Sequence, residues 1–285
     1  MEINHFSIIT PCYKSRELIE TTIESVLSSK ALSDGSVALQ YIVCDGGSTD
    51  GTLDIIEKIF TSADRDNITT ELISEKDSGM YDALAKGFRR ATGNIISYIN
   101  AGDLLSPHAF EIVSEIFINS EIKWLTGLDV VYNEKGHIIR ASLPFRYRRK
   151  LIQCGLYNLG MLPHIQQEST FWDAELLKGV DYDCLSRCRY AGDYHLWKCF
   201  SEKEQLYIVE AWLGGFKVHR GQLSGDSERY NSEMSSLARR PGIRDYLGAL
   251  LEKILWNLPY PARKVLNRST LLRFDHLLQK YTLPG

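Results

Sequence analysis

The sequence predicts an α/β protein: a mostly parallel sheet with flanking helices, a mixed second half and a helical C-terminal tail. Three observations point there. Short β-branched runs alternate with amphipathic stretches over the first hundred residues, the pattern of parallel strands joined by crossover helices. Each run ends in a loop of small or polar residues. The 285 residues, 44% hydrophobic and 24% charged, have the composition of a globular chain long enough to bury a sizeable core.

Taken in order, strands are expected at 5–10, 40–44, 69–74 and 94–99, with helices between them at 15–29, 52–60 and 80–91. Leu18, Thr22 and Val26 share one face of the first helix, and Ile55, Ile56 and Ile59 fall in the second. The strand-end loops are Thr10-Pro11-Cys12-Tyr13, Asp45-Gly46-Gly47-Ser48, Asp77-Ser78-Gly79 and Asn100-Ala101-Gly102-Asp103. Ligands of open α/β sheets bind outside the carboxyl ends of the strands, so these four loops are expected to converge on one crevice. Asp50 is placed to cap the helix that begins near Thr52.

After Pro107 a helix at 109–118 leads to strands at 124–133 and 137–142 about the turn Asn133-Glu134-Lys135-Gly136, a hairpin signal. A strand at 168–172, a helix at 193–200 and a strand at 206–218 complete this mixed half. From Ser227 the pattern reads as helical, interrupted at Pro241, Pro259, Pro261 and Pro284. Its apolar positions (Leu247, Leu250, Leu251, Ile254, Leu255, then Leu271, Leu272, Leu277, Leu278) interleave with Lys253, Arg263, Lys264, Arg268, Arg273 and Lys280. Such a tail lies on a bilayer surface, packs on its own domain or forms a subunit interface. The expected division is a domain at 1–226, with halves 1–105 and 106–226, and an extension at 227–285.

Thirty-three Lys and Arg against 36 Asp and Glu leave a net charge of −3, which gives no global attraction to nucleic acid. The basic run at 146–150 reads as a solvated face. No apolar stretch reaches the ~18 residues of a membrane-spanning helix, and the opening residues lack the basic-then-apolar order of a signal peptide, so the expected location is the cytoplasm. Cys12, Cys44, Cys154, Cys184, Cys188 and Cys199 are scattered and read as free thiols.

Neither Thr10-Pro11-Cys12-Tyr13 nor Asp45-Gly46-Gly47-Ser48 supplies G-x-G-x-x-G, and no Walker loop is present. What remains is a crevice lined by carboxylates: Asp45, Asp77, Asp103 and, from the second half, Asp193. Carboxylates repel a diphosphate unless a hard divalent cation lies between them. An acidic nucleotide site therefore demands Mg²⁺ or Mn²⁺ bridging Asp103 to phosphate oxygens.

Ser7-Ile8-Ile9-Thr10-Pro11-Cys12-Tyr13-Lys14, then Val43-Cys44-Asp45-Gly46-Gly47-Ser48-Thr49-Asp50-Gly51-Thr52, then Ile99-Asn100-Ala101-Gly102-Asp103 resemble the serial motifs of family-2 inverting glycosyltransferases of GT-A fold, in their bacterial exopolysaccharide and O-antigen flavour. The match is ordered over roughly 6–103 and resumes at Ala191-Gly192-Asp193-Tyr194-His195-Leu196-Trp197, similar to the family's acidic base segment. The resemblance implies a nucleotide diphosphate-sugar donor held by the first half through Thr10, Pro11, Tyr13, Asp45, Asp77, Gly79, Asn100, Ala101 and Gly102. Tyr13 would lie by the nucleobase and Asp45 would contact base and ribose, with Gly46 standing where many members carry a second acid. Asp103 would hold the divalent cation, in a motif with no aspartate ahead of it. Asp193 would be the base that deprotonates the acceptor hydroxyl. His164, Gln167 and Trp197 are acceptor candidates, and His219 and Arg220 candidates for the leaving diphosphate.

The implied acceptor is a saccharide, lipid-linked by family analogy, at the inner face of the cytoplasmic membrane, with peripheral membrane contact through the basic run and the tail. An oligomer through the tail is open. A nucleotidyltransferase would want a Gly- and Arg/Lys-rich phosphate loop near the amino terminus, absent here. The rival reading from another class is a nucleotide-sugar-binding regulatory or scaffold protein with a degenerate active site.

Overall fold

β1 (His5–Cys12) is buried from Phe6 to Cys12, as a parallel strand must be when helices cover both faces of its sheet. It lies between β2 (Ala38–Asp45) and β4 (Ile95–Tyr98), parallel to both, and β2 pairs in parallel with β3 (Ile68–Ser74). The order β3-β2-β1-β4 reverses direction beside β1, which opens a crevice over the carboxyl ends of β1 and β4. The computed structural model describes residues 4–63, 65–157, 161–218 and 226–283, and the elements given are those among them.

The helices that link these strands are α1 (Ile19–Leu27) with its short continuation α2 (Lys30–Ser33), α3 (Thr52–Ser62) and α4 (Met80–Arg90). They match the expected spans, with starts and ends shifted by a few residues. Asp50 holds the start of α3 as expected: its Oδ1 accepts from Thr52 N at 3.2 Å and Thr52 Oγ1 at 2.6 Å, while the cap residue itself is Gly51 at φ 92°. After β5 (Leu104–Leu105) comes α5 (Ala109–Asn119).

The second half departs from expectation in a consistent way. The strand expected at 124–133 is two strands, β6 (Trp124–Thr126) and β7 (Asp129–Tyr132), and they serve different sheets. The break falls at Gly127, where a Cβ would meet Ala211 O at 2.7 Å. β7 pairs with β8 (Ile138–Ser142) through the predicted turn, in which Asn133 Oδ1 accepts from the backbone of Lys135 and His137. The expected strand at 168–172 opens as a 3₁₀ turn, Gln167–Ser169, before β9 (Thr170–Asp173). The one at 206–218 likewise splits into β10 (Tyr207–Val209) and β11 (Gly214–Lys217).

Between these strands lie α6 (Arg149–Gln153), α7 (Tyr182–Arg187) and α8 (Gly192–Lys203). The expected helical tail is helical through α9 (Ser227–Leu237), α10 (Ile243–Trp256) and α11 (Tyr260–Leu266). Then it leaves the helical pattern: Leu271 and Leu272, read from sequence as helical, are fully buried in β12 (Leu271–Asp275), which turns back as β13 (Lys280–Thr282). The tail thus supplies the end of the main sheet, whose order is β13-β12-β10-β6-β9-β4-β1-β2-β3, while β5-β11-β7-β8 form a smaller one.

Two cores flank the large sheet. One packs Phe6, Ile8, Tyr41 and Phe110 with Ile19 and Ile23 of α1. The other is built on Trp124, Trp172, Trp197 and Phe200, with Trp124 stacked on Trp197 at 5.7 Å and Trp172 tilted against Phe200 at 5.3 Å, geometries that add to simple burial.

The basic run at 146–150 is not the solvated face expected of it. Arg146 and Arg148 both pair with Glu252 of α10, a fully buried carboxylate, with Arg146 Nη2 at 2.8 Å. Arg149 donates to the carbonyls of Ser201 at 2.7 Å and Glu202 at 2.6 Å, satisfying the end of α8. These arginines tie helices together. The six cysteines are free thiols, and among the described residues no helix is long and apolar enough to cross a membrane.

Candidate active site

Asp45 ends β2 and is buried beside Cys12, its register partner in β1. Its Oδ2 accepts from Gly47 N at 2.9 Å, Ser48 N at 2.8 Å and Ser74 Oγ at 2.9 Å. Three donors on one oxygen fix the carboxylate, and among the described residues Oδ1 meets the Cys12 thiol at 3.7 Å. Ser48 also accepts from Lys14 N at 2.7 Å, which binds the loop after β1 to the loop after β2. Tyr13 stands there with its ring 57% exposed.

Asp77 lies half-buried across from Gly46, and burial pushes its carboxyl up from the usual range. Its Oδ1 accepts from Gly79 N at 2.9 Å, and Gly79, at φ 138°, starts α4. The loops after β2 and β3 thus bring Asp77 against Gly46, next to Asp45. Thr10 does not join them: its hydroxyl meets Tyr41 OH at 3.0 Å inside the core, and Pro11 is buried in β1.

The loop Asn100-Ala101-Gly102-Asp103 is strapped down by Thr22 of α1, which accepts from Gly102 N at 2.8 Å and donates to Asp103 O at 2.9 Å. Asp103 is buried, and its Oδ1 accepts from Lys217 N of β11 at 2.9 Å. Asn100 Nδ2 reaches Asp103 Oδ2 at 3.4 Å and Gln167 Oε1 at 3.3 Å, and Gln167 Nε2 donates to Tyr98 O. With its amide nitrogen so engaged, Asn100 Oδ1 is left buried and without a partner among the described residues.

Glu168, which the sequence reading absorbed into a strand, is buried close enough to Asp103 for the two carboxyls to act on each other. Burial, reinforced by Asp103, holds its carboxyl well above the ordinary range, and burial raises Asp103 as well. Two buried carboxyls this close cannot both ionise cheaply unless a cation joins them. The donor set of Asp103, Glu168 and the orphaned Asn100 Oδ1 is all oxygen, which suits Mg²⁺ or Mn²⁺. Among the described residues no three His, Cys, Asp or Glu side chains converge as a metal cluster, so further ligands for such an ion would come from phosphate and water.

Asp193 is the second residue of α8, not its cap, which is Ala191. Tyr81 OH reaches Asp193 Oδ1 at 3.5 Å and Tyr230 OH reaches Oδ2 at 3.3 Å. Tyr81 comes this close because residue 192 is glycine, where a Cβ would lie 2.3 Å from its ring. Burial outweighs both hydroxyls, and the Asp193 carboxyl is pushed up to about 6.

The pocket in front of Asp193 is lined by Ile152, Tyr157, His164, Trp197 and Tyr230 among others. His164 is exposed there, its carbonyl accepting from Tyr147 OH at 3.1 Å. Trp197 is chiefly a member of the tryptophan core. Gln167 belongs instead with Asn100, and His219 and Arg220 lie outside the described residues. Glu168, Tyr81 and Tyr230 are the residues the sequence did not single out.

The sequence profile of glycosyl transferase family 2 matches residues 7–164. An uncharacterised glycosyltransferase of Nostoc, alr2836, is 29% identical over 137 residues, 48% of this chain and 40% of its own length. The Bacillus subtilis protein named "Putative teichuronic acid biosynthesis glycosyltransferase TuaG" is 32% identical over 97 residues, 34% of this chain and 35% of that protein. The chain therefore spans well under half of these relatives. Among solved structures, Staphylococcus aureus TarS superposes with a TM-score of 0.57 at 14% identity, covering 92% of this chain and 85% of that one. The mannosyltransferase PcManGT of Pyrobaculum calidifontis, solved with GDP-Man and Mn²⁺, gives 0.55 at 15% identity, covering 92% and 78%. At these identities the structural likeness speaks for the fold: a large, mostly parallel sheet flanked by helices.

Proposed function

Because the chain belongs to glycosyl transferase family 2, we propose that it is an inverting glycosyltransferase, moving a sugar from a nucleotide diphosphate-sugar to a hydroxyl of a saccharide acceptor. The observation that carries this reading is Asp193, a carboxylate set in a pocket between two tyrosine hydroxyls and raised to about 6. Such a group is ionised at neutral pH yet more basic than an ordinary carboxylate, as general-base work requires. It would take the acceptor proton as that oxygen bonds to the anomeric carbon, while the carbon–oxygen bond to the diphosphate breaks on the opposite face.

On the donor side, Tyr13 and Asp45 would meet base and ribose, and Asp77 and Gly79 would close the loop over them. A divalent cation, Mn²⁺ or Mg²⁺, would be held by Asp103, Glu168 and Asn100, and its chemistry is to neutralise charge on the departing diphosphate. We place the reaction in surface polysaccharide assembly, with a lipid-linked acceptor. The polysaccharide assignment of TuaG supports that setting.

The test pairs binding with turnover. Melting of the full chain with UDP, GDP, CMP or TDP, each with and without Mn²⁺, should show one nucleotide that stabilises only with the metal. With the matching donor sugar, Asp193→Asn should lose turnover and keep that stabilisation. Unchanged turnover by Asp193→Asn rejects the assignment of the base. Nucleotide binding without transfer or donor hydrolysis by the wild type favours the scaffold reading instead.

A further inference from the structure

α10 turns its apolar side outward. At ~100° per residue, Tyr246, Leu250, Ile243, Ile254, Leu247 and Leu251 fall within one arc of about 140°, and each is at least 48% exposed. No polar residue interrupts that arc. The opposite side is fully used by the fold: Ala249 and Glu252 are buried, and Trp256 packs edge-on against Phe145 and Tyr147. A helix on a water-facing surface carries polar residues where this one carries six large apolar ones.

The charges follow the same geometry. Arg244 lies just beyond Leu251 and Lys253 just beyond Tyr246, so an exposed cation stands at each edge of the arc. The two acids of the helix are turned away, Asp245 to Arg239 at 3.0 Å and Glu252 to Arg146 and Arg148. From Arg239 to Lys280 there are nine Lys and Arg against three Asp and Glu, in a chain of net charge −3.

We propose that the outward face of α10 seats on an anionic lipid surface, with the apolar arc in the headgroup–acyl boundary and Arg244 and Lys253 reaching the lipid phosphates. Charge complementarity selects this occupant. A second copy of the same face would set basic residues on both flanks of the seam against basic residues, where paired helices need opposite charges. Anionic headgroups satisfy both flanks. The 14 residues of α10 make about 21 Å of helix, too short to span a bilayer and suited to lie in its surface.

α10 packs on α6, whose Ile152 lines the Asp193 pocket. Seating α10 would therefore hold that pocket one helix layer from the membrane, where a lipid-linked acceptor presents its hydroxyl. That last link rests on the transferase reading; the seating itself does not.

The test is sedimentation of the full chain, without donor, with vesicles of phosphatidylglycerol and phosphatidylethanolamine or of phosphatidylcholine alone. The wild type should pellet with the anionic vesicles at least tenfold more than with the neutral ones, less so in high salt. Leu247→Ser/Leu250→Ser/Ile254→Ser should stay in the supernatant with an unchanged melting temperature, since these side chains already face solvent. Should that triple variant fail to fold, Arg244→Glu/Lys253→Glu decides the matter by losing the same binding. Asp193→Asn should pellet like wild type, which separates this proposal from the fate of the catalytic one. Wild-type protein that ignores anionic vesicles, or a folded face variant that still pellets, overturns it. So does a vesicle-indifferent dimer that the triple variant converts to a monomer.

Discussion

The Asp77 carboxylate fills the space that a side chain on residue 46 would need: a Cβ on Gly46 would meet Asp77 Oδ2 at 2.8 Å. The family motif that this loop resembles often carries a second acid at that position. Here a carboxylate arrives at the same point from the loop after β3.

Gly46→Ala should therefore push Asp77 aside and weaken nucleotide binding about tenfold, or ~1.4 kcal/mol, with little effect on folding. Titration calorimetry with the stabilising nucleotide checks this. Gly46→Ala/Asp77→Gly, which relieves the collision, should bind no worse than Asp77→Gly alone. A double variant much weaker than Asp77→Gly would show that the glycine matters for another reason.

The pH profile of transfer has a fixed sign. Asp193 must be ionised to accept a proton, so kcat/KM should fall as the pH drops through about 6 and level off above it. The Tyr230 hydroxyl favours the ionised form by donating to Oδ2. Its removal in Tyr230→Phe should move the acid limb to higher pH. A limb that stays in place would mean that another group sets it.

Asn100 and Asp103 make separable predictions about metal. Asp103→Ala should abolish the Mn²⁺-dependent part of nucleotide stabilisation while sparing any metal-independent part. Asn100→Ala removes the unpartnered Oδ1 together with the Nδ2 contacts to Asp103 and Gln167, keeps the Asp103 carboxylate, and should raise the Mn²⁺ concentration needed by several-fold. Melting curves across a Mn²⁺ series read both, and metal-independent loss in either variant would point to a damaged loop.

Glu252 holds two arginines, themselves partly open to water, from a fully buried position. Glu252→Ala leaves both cations unpaired at the α10 junction and should cost about 2–4 kcal/mol, less than a fully enclosed pair would. Urea unfolding measures it. A loss below about 1 kcal/mol would mean that water compensates for the missing carboxylate.

The parallel strands and linking helices of the first half were legible because period and loop chemistry agree there: the runs of β1, β2 and β4 are buried almost throughout, and each run ends in a polar turn. Asp103 was legible for the same reason. Glu168 was not, since its neighbours Thr170, Phe171 and Trp172 read as a strand and gave no sign that the preceding residues coil inward toward Asp103. Tyr230 lies 37 positions from the Asp193 it touches, beyond any local pattern. Leu271 and Leu272 are compatible with either period, and only pairing with β10 decides for a strand. Arg146 and Arg148 looked solvated because their partner, Glu252, is about a hundred residues away.

The position of β9 has a consequence for how the chain is made. β9 sits between β4 and β6 and is antiparallel to both, yet it begins at Thr170, after the family-matched stretch at 7–164 has ended. Until that strand leaves the ribosome, β4 and β6 each present an unpaired edge, the kind of surface that recruits other chains. At synthesis rates of about 5–20 residues per second, the interval from the end of β6 to the end of β9 lasts seconds. A nascent chain stalled in it would expose the edges of β4 and β6 together and be prone to aggregate.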